Sequence, residues 1–255
     1  MKQPLLIDMD GVLRLGNKPA PGLPEFFEYL ENSGRKVCII SNSTLADSAG
    51  FIQFFKSNSI DCKIPILTTV EGTLKYVKDN YERIEIHCGE KVKHLFNEYI
   101  DSETPQAIIV GDIGKAWNFE ILNDIFKKVL AGADLIAMQK NKFWSTPEDG
   151  LLLDAGAFIK AIEHAAGKEA LLIGKPSPLY FQNALQFIGL NKDEKFIMLG
   201  DDLETDILGA KNLNSTGILI YTGKTNREMA KKSSVKPDFE IDTLIDAIEL
   251  LEKNN

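Results

Sequence analysis

The chain has 255 residues, of which 44% are hydrophobic and 26% are charged. This is the composition of an ordinary globular protein, and the length allows one large domain or two modest ones. The formal net charge of −8 at pH 7 offers no basic surface to nucleic acid and is repelled by anionic lipid, so neither is an expected partner.

The cysteines and the hydropathy pattern favour a cytoplasmic protein. Cys38, Cys62 and Cys88 are odd in number and form no Cys-x-x-Cys pair, which argues against disulfides and structural zinc and for a reducing compartment. The stretch before Asp8 is too short for a signal peptide. No apolar run approaches the roughly 18 residues that a membrane-spanning helix needs. We therefore expect neither secretion nor insertion into a membrane.

The first predicted strand covers residues 5–7 and ends in the sequence Asp8-Met9-Asp10-Gly11. An apolar run that ends in acids is typical of the carboxyl end of a buried parallel strand, where open α/β sheets bind their ligands. Two carboxylates about 4 Å apart repel by roughly 4 kcal/mol at an effective dielectric of 20, so the pair needs a cation or a proton. An acidic pair after a strand can also simply start a turn.

Three later apolar runs, at residues 37–40, 171–173 and 196–199, also end in polar or charged side chains. The residues that follow them are, in chain order, Ser41, Asn42 and Ser43, then Lys175, then Asp201, Asp202 and Asp206. The order is carboxylates, hydroxyls, a lysine and carboxylates again. So specific an order over so wide a spacing is hard to reach by chance, and it supports a functional interpretation of the first acidic pair.

Helices are predicted beside two of these motifs. Ser43 or Thr44 can N-cap a helix that begins near Leu45. Ser177 can N-cap another, with Pro178 at its first position. The second helix would hold Lys175 just before a rigid helix start.

The interval between Ser41 and Lys175 is far longer than one strand–helix–strand crossover requires, and it has α/β units of its own. Its predicted strands are 84–86, 107–110 and 135–138, and its predicted helices are 91–99, 119–130 and 155–166. Strands that alternate with helices indicate βαβ units and a parallel sheet. We therefore predict an α/β domain at 82–171, inserted into a core that consists of 1–81 and 172–255.

These four motifs resemble those of the haloacid dehalogenase superfamily, which are Asp-x-Asp, Ser or Thr, Lys, and Gly-Asp-x(3 or 4)-Asp. They stand here as Asp8/Asp10, Ser41, Lys175 and Asp201/Asp206. The strings at 174–178 and 200–206 are similar to the class IIA, NagD-type branch. Residues 150–166 and 168–178 are similar to the phospholysine, phosphohistidine and inorganic pyrophosphate phosphatases. The resemblance implies a Rossmann-like parallel-sheet core with an inserted α/β cap of the C2 type.

The resemblance also implies roles for the acids. Asp8 would be the nucleophile that forms an aspartyl-phosphate. Asp10 would protonate the leaving oxygen and then take a proton from the hydrolysing water. Mg²⁺, which prefers oxygen ligands, would be held by Asp8, the backbone carbonyl of Asp10, and Asp201. Asp206 would orient the residues of the site without binding the metal itself, with Asp202 as the alternative residue for that task.

The phosphate itself would be bound by Ser41 and the amides near Asn42 and Ser43 on one side, and by Lys175 on the other. Contacts with the rest of the substrate would come from the insertion. The best candidates there are Asp112, Trp117, Asn118 and the Phe143-Trp144 region.

Two look-alike patterns do not predict sites of their own. Residues 108–112 mimic the fourth motif but lack its second acid. Gly223-Lys224-Thr225 resembles the end of a P-loop, but Ile218 occupies the position of the required earlier glycine. There is no Gly-x-Gly-x-x-Gly, so a dinucleotide cofactor is not expected.

The sequence therefore predicts a Mg²⁺-dependent phosphatase that acts on a small soluble phosphomonoester. One alternative is the hydrolysis of pyrophosphate or of P–N bonds, as in phosphohistidine and phospholysine. Another is a non-catalytic phosphate-binding protein with the same fold, against which the completeness of all four motifs argues. The physiological substrate, and whether two chains pair as a homodimer, stay open.

Overall fold

The computed structural model describes residues 2–146 and 150–253. The chain folds into two compact units. The first unit consists of Met1–Ser41, Ser48–Leu67 and Lys175–Asn255, and the second consists of Asn42–Asp47 and Thr68–Gly174.

The strands are short and spread over the whole chain. They are β1 (Leu5–Asp8), β2 (Arg14–Leu15), β3 (Lys18–Pro19), β4 (Val37–Ser41), β5 (Ile66–Thr68), β6 (Ile84–His87), β7 (Ala107–Val110), β8 (Asp134–Ala137), β9 (Phe143–Thr146), β10 (Gly150–Leu153), β11 (Leu171–Leu172), β12 (Ile197–Gly200), β13 (Thr216–Ile220) and β14 (Phe239–Ile241).

The helices alternate with these strands. They are α1 (Leu23–Asn32), α2 (Ser48–Ser57), α3 (Thr69–Asn80), α4 (Glu90–Lys93), α5 (Phe119–Leu130), α6 (Ala155–Ala166), α7 (Pro178–Phe187), α8 (Leu208–Asn212), α9 (Arg227–Lys232) and α10 (Leu244–Lys253). Short 3₁₀ turns occur at His94–Phe96 and Gly114–Ala116, and a π-helical turn covers Leu203–Ile207. No helix among the described residues is both long enough and apolar enough to cross a membrane.

The first unit contains a six-stranded sheet with the order β14-β13-β12-β1-β4-β5. β1 pairs in parallel with both β4 and β12, and β13 pairs in parallel with β12 and β14. Leu5, Leu6 and Ile7 are fully buried, as expected for a strand covered on both faces. The α/β fold class with a parallel-sheet core is therefore confirmed.

The first unit's core uses Cys38 as a small hydrophobic residue. Cys38 packs with Leu6, Tyr180 and Phe181 in one buried cluster. Burial raises the pKa of its thiol to about 12, so the side chain stays neutral and serves packing alone.

The second unit contains a four-stranded parallel sheet with the order β11-β8-β7-β6 and an antiparallel hairpin of β9 and β10. Helices α5 and α6 pack on β7 and β8 through one apolar cluster that includes Val110, Ile125 and Ile159. The sequence predicted β7, α5 and α6 with their observed bounds.

Helix α3 belongs to the second unit, whereas the sequence placed everything up to residue 81 in the predicted core. Two hydrogen bonds account for this. The Thr69 hydroxyl donates to the carbonyl oxygen of Met138 at 2.6 Å, and the Tyr81 hydroxyl donates to Asp134 at 2.9 Å. β11 belongs to the same unit because Leu171 is in register with Ile136. That the segment 82–171 acts as a cap stays a prediction.

Two predicted helices differ in their bounds. The segment at Leu45 forms a turn instead of a helix start, because the Leu45 N–H donates to the Ser43 hydroxyl, and α2 begins only at Ser48. The helix expected over 91–99 is a single α-turn, α4, followed by a 3₁₀ turn. The helix expected after Ser177 is confirmed, with Pro178 as its first residue.

Candidate active site

The order of strands in the first sheet brings the predicted motifs to one edge. Asp8 is the last residue of β1, Ser41 is the last residue of β4, and Asp201 directly follows β12. Because β1 lies between β4 and β12 and pairs in parallel with both, the carboxyl ends of the three strands are neighbours.

Three carboxylates form a buried cluster at this edge. One oxygen from each of Asp8, Asp201 and Asp206 lies within 4.8 Å of the others. The three residues are 7%, 5% and 0% exposed. Charges buried so closely require compensation by cations, protons or hydrogen bonds.

Lys175 supplies part of that compensation. Its Nζ lies 2.7 Å from Asp8 Oδ1 and 2.7 Å from Asp206 Oδ1, and the residue is only 2% exposed. Burial lowers the pKa of Lys175, but the neighbouring Asp206 and Asp8 carboxylates outweigh burial and raise it overall. The ammonium group therefore stays charged and holds two of the three acids.

Asp206 has both carboxylate oxygens engaged. Oδ1 is paired with Lys175, and Oδ2 accepts the N–H of Asp202 at 3.1 Å. Asp206 lies in the π-helical turn that follows β12, and a Cβ on Gly200 would approach its side chain to 2.3 Å. The side chain is fixed by its neighbours, which suits a residue that orients others.

Asp201 is enclosed by backbone. Its Oδ2 accepts the N–H of Lys224 at 2.6 Å, and its carbonyl oxygen accepts the N–H of Thr225 at 3.1 Å. A Cβ on Gly11 would lie 2.1 Å from Oδ2, and one on Gly223 would lie 1.9 Å from it. Only glycine allows this approach at either position.

Asp202 lies beside the cluster and has two partners. It N-caps the π-helical turn, accepting the N–H of Glu204 at 2.8 Å. Its Oδ2 is paired with the Nζ of Lys224 at 2.6 Å. From the sequence, either Asp202 or Asp206 could be the main orienting acid, and of the two only Asp206 contacts Lys175 in this geometry.

Asp10 has a different environment from the other acids. Its side chain is 48% exposed, and Oδ1 pairs with the guanidinium of Arg14 at 2.6–2.7 Å. The guanidinium carbon of Arg14 lies 4.9 Å from the ring centroid of Phe51 and 5.4 Å from that of Phe54. Arg14 was not predicted from the sequence, although its position four residues after Asp10 was a usable signal.

The predicted phosphate-binding residues are placed on both units. Ser41 is buried, and its backbone is tied to Tyr180, whose hydroxyl oxygen lies 2.8 Å from the carbonyl oxygens of Ser41 and Leu67. Asn42 and Ser43 belong to the second unit. There, a Cβ on Gly174 would lie 2.6 Å from Asn42 Oδ1.

Burial, and then mutual repulsion, raise the pKa values of the clustered acids. Burial first, and then Asp206, raise the pKa of Asp8. Burial raises the pKa of Asp206 despite the opposing effect of Lys175. Burial first, and then Asp206, raise the pKa of Asp201 to about 7. The cluster thus carries more negative charge than its lysine compensates.

The donor set fits Mg²⁺, which prefers carboxylate and carbonyl oxygens. Asp8 Oδ1 already accepts hydrogen bonds from Lys175 and from the Met9 N–H, and Asp201 Oδ2 accepts one from Lys224. Their other oxygens, Asp8 Oδ2 and Asp201 Oδ1, accept none from the described residues. These two atoms are the ones suited to bind a cation.

The second unit has a cavity of about 470 Å³, and its walls include Leu45, His87, Cys88, Lys93, Asp112 and Trp144. Two of the predicted substrate contacts, Asp112 and Trp144, therefore line one cavity. Trp117 instead stacks on Phe158 at 4.7 Å, and Asn118 N-caps α5, so these two have structural tasks.

The close approach at Gly11 leads to a testable prediction. In Gly11→Ala the new methyl would collide with Asp201, and we expect phosphate release to fall by roughly a hundredfold, as for a displacement of about 1 Å. Gly16→Ala is the matched control, because Gly16 also has a positive φ but no atom near its Cβ position. Both variants should lose about 1–2 kcal/mol of stability to backbone strain. Equal activity in the two variants would contradict the close approach of Gly11 to Asp201.

Two family models and several known proteins match this chain. Residues 5–100 match the family model described as haloacid dehalogenase-like hydrolase, and residues 172–247 match the model described as HAD-hydrolase-like. The chain is 29% identical to the phospholysine phosphohistidine inorganic pyrophosphate phosphatase of Mus musculus over 256 residues, covering 98% of this chain and 94% of that protein.

Two solved structures share the fold. The 4-nitrophenylphosphatase from Thermotoga maritima is 26% identical, with a TM-score of 0.88 and 97% of each chain covered. NagD from E. coli K-12 is 22% identical, with a TM-score of 0.83, 95% of this chain and 97% of that chain covered. The two family models and the relatives together show that this chain belongs to the haloacid dehalogenase-like hydrolases and is an enzyme of the phosphatase type.

Proposed function

We propose that this protein is a Mg²⁺-dependent phosphatase that hydrolyses a small soluble phosphomonoester through an aspartyl-phosphate on Asp8. The observation that carries the proposal is the buried position of Asp8 beside Lys175 and the other clustered acids. A binding protein would need a cation for the phosphate, but it would not need a carboxylate in the same place.

Asp8 is the proposed nucleophile. Lys175 and the Met9 N–H orient the carboxylate through Oδ1. Oδ1 would form the bond to phosphorus while the bond to the leaving oxygen breaks, and Oδ2 would stay available to the cation. Phosphoryl transfer spreads negative charge over the equatorial oxygens, so positioned cations lower the barrier. Lys175 is placed to act in this way because it touches the nucleophile itself.

Asp10 is the proposed proton donor to the leaving oxygen. After that transfer its carboxylate would accept a proton from the water that attacks the aspartyl-phosphate, which releases phosphate and restores Asp8. Its exposed side chain and its pairing with Arg14 distinguish it from the buried acids. Ser41 is the proposed contact for the transferred phosphoryl group on the side opposite Lys175, with the amides near Asn42 and Ser43.

Asp8 and Asp201 are the proposed side-chain ligands of Mg²⁺, and the resemblance adds the carbonyl oxygen of Asp10. When bound, the ion would neutralise charge on the acids and on the incoming phosphate. Asp206 fits the task of holding Lys175 in place better than that of a ligand, because both of its oxygens are engaged.

Hydrolysis of pyrophosphate or of P–N bonds is the second candidate. It is favoured by the similarity to the mouse phosphatase named for phospholysine, phosphohistidine and inorganic pyrophosphate, which extends over almost the whole chain. The same nucleophile and cations would serve either bond, so the groups that contact the rest of the substrate would decide between them.

We also propose that the second unit selects the substrate. The four motifs contribute most of their side chains to the first unit, whereas the cavity of the second unit combines a buried carboxylate, Asp112, with the indole of Trp144. Such a mixture of a few charged groups and apolar walls is typical of small-molecule sites.

A phosphate-release panel tests the activity. Wild type is assayed with Mg²⁺ on phosphomonoesters, pyrophosphate and phosphoramidates, and Asp8→Asn serves as the blank. We expect Asp8→Asn to keep its fold by circular dichroism but to lose about a thousandfold or more in turnover, because an amide is a far poorer nucleophile. Wild type that releases no more phosphate than the blank on any compound would support the non-catalytic alternative instead.

The raised pKa of Asp201 makes metal binding pH-dependent. Since its folded-state pKa of about 7 lies above the ordinary value of 3.8, the folded protein binds the extra proton between these values. This carboxyl therefore destabilises the metal-free protein as pH rises through that interval. Because Mg²⁺ competes with the proton, we expect it to raise the melting temperature more at about pH 7.5 than at about pH 5.5.

Thermal unfolding in chelator and in Mg²⁺, at both pH values, measures this effect. Asp201→Asn is the control and should lose most of the difference. Equal stabilisation of wild type by Mg²⁺ at the two pH values would argue against Asp201 as a ligand.

The proposed selection by the second unit predicts a change in substrate ranking. Trp144→Ala and Asp112→Asn should alter the ratio of kcat/KM values between substrates by about tenfold, while inhibition by inorganic phosphate stays unchanged. Leu151→Ala is the control, because Leu151 is an exposed residue of the neighbouring strand β10. An unchanged ranking in both cavity variants would place selection in the first unit.

A further inference from the structure

Lys224 is a second lysine at the acidic cluster, and it lies outside the four motifs. It follows β13, in the segment 223–225 that resembles the end of a P-loop by sequence alone. Its backbone N–H donates to Asp201 Oδ2 at 2.6 Å, and its Nζ lies 2.6 Å from Asp202 Oδ2. One residue thus contacts two acids of the site through two different groups.

Lys224 is also linked to the nucleophile by a continuous chain of hydrogen bonds and ion pairs. Asp202, which pairs with Lys224, donates its N–H to Asp206 at 3.1 Å. Asp206 and Asp8 each accept from Lys175 at 2.7 Å. The acids involved are all at least nine-tenths buried, so water screens the interactions among them weakly. The Lys224 side chain is 31% exposed, so its pairing with Asp202 is screened more.

The charges of this group match one divalent cation. When all four carboxylates, on Asp8, Asp201, Asp202 and Asp206, are ionised, they are compensated within the group by two ammonium groups, on Lys175 and Lys224. Two negative charges remain, which one divalent cation would neutralise. Without Lys224 there would be three.

We propose that Lys224 is a positioning residue that fixes Asp201 through its backbone and balances Asp202 through its side chain, so that the site takes one divalent cation and still admits a phosphate. This inference rests on the proposed function, since that function supplies the cation and the anion. The turn around Lys224 supports the assignment: the Thr222 hydroxyl donates to the carbonyl oxygen of Gly11 at 2.5 Å.

Removing the side-chain charge should change the two affinities in opposite directions. In Lys224→Met the backbone N–H to Asp201 is retained, and Asp202 is left uncompensated. The added negative potential attracts a cation and repels an anion. We therefore expect roughly three- to tenfold tighter binding of Mg²⁺ and roughly three- to tenfold weaker binding of inorganic phosphate. Loss of structure alone would weaken both.

Calorimetry on metal-free protein measures the Mg²⁺ affinity, and inorganic phosphate is titrated into protein saturated with Mg²⁺. Lys224→Arg retains the charge and should restore both affinities to within about twofold of wild type. Lys211→Met is the matched control. It removes a lysine that pairs with Asp238 at 2.5 Å elsewhere in the first unit, and both affinities should stay as in wild type.

Unchanged affinities in Lys224→Met, or affinities that both weaken, would overturn the proposal. So would equal changes in Lys211→Met. The Mg²⁺ measurement requires no turnover, so its result is separate from the phosphate-release panel. A wild type that binds Mg²⁺ but hydrolyses nothing would refute the proposed function and leave the assignment of Lys224 standing on the cation result.

Discussion

The pairing of Lys175 with Asp8 and Asp206 is the interaction on which the site depends. Three carboxylates are buried within 4.8 Å of one another, and taking each out of water costs several kcal/mol unless it is paired. Lys175 lies 2.7 Å from two of them and is itself buried. The same ammonium group makes the cluster tolerable in the folded chain and supplies positive charge next to the nucleophile.

The second constraint is the lack of side chains around the acids. Gly11, Gly200 and Gly223 come from three separate segments, and a Cβ on any of them would collide with Asp201 or Asp206. The backbone can therefore approach the carboxylates closely enough for the Lys224 N–H to reach Asp201. Direct backbone contact fixes which oxygen of Asp201 is occupied and which can take a ligand.

The raised pKa values show that the two lysines do not fully compensate the acids. Burial and repulsion keep protons on the cluster at a pH where free aspartates are ionised. A partly protonated acidic site of this kind has affinity for divalent cations, because such an ion can replace the bound protons without adding repulsion. The proposed need for Mg²⁺ and the proposed task of Lys224 both follow from this excess of negative charge.

The sequence by itself determined the parallel-sheet fold, the positions of β1, β4 and β12, and the acids that lie at their ends. These features could be predicted because hydrophobic periodicity and turn residues are local signals. Lys175 and Asp206 were identified from motif order, yet their mutual contact spans 31 residues along the chain.

The tertiary structure alone decided which partners complete the site. Lys224 reaches Asp202 and Asp201 across 22 and 23 residues, and Arg14 is held over Phe51 and Phe54 from another part of the chain. The place of α3 in the second unit was likewise set by the hydrogen bond between Thr69 and Met138. No local pattern encodes such pairs, because they form only when the sheet order brings distant loops to the same edge.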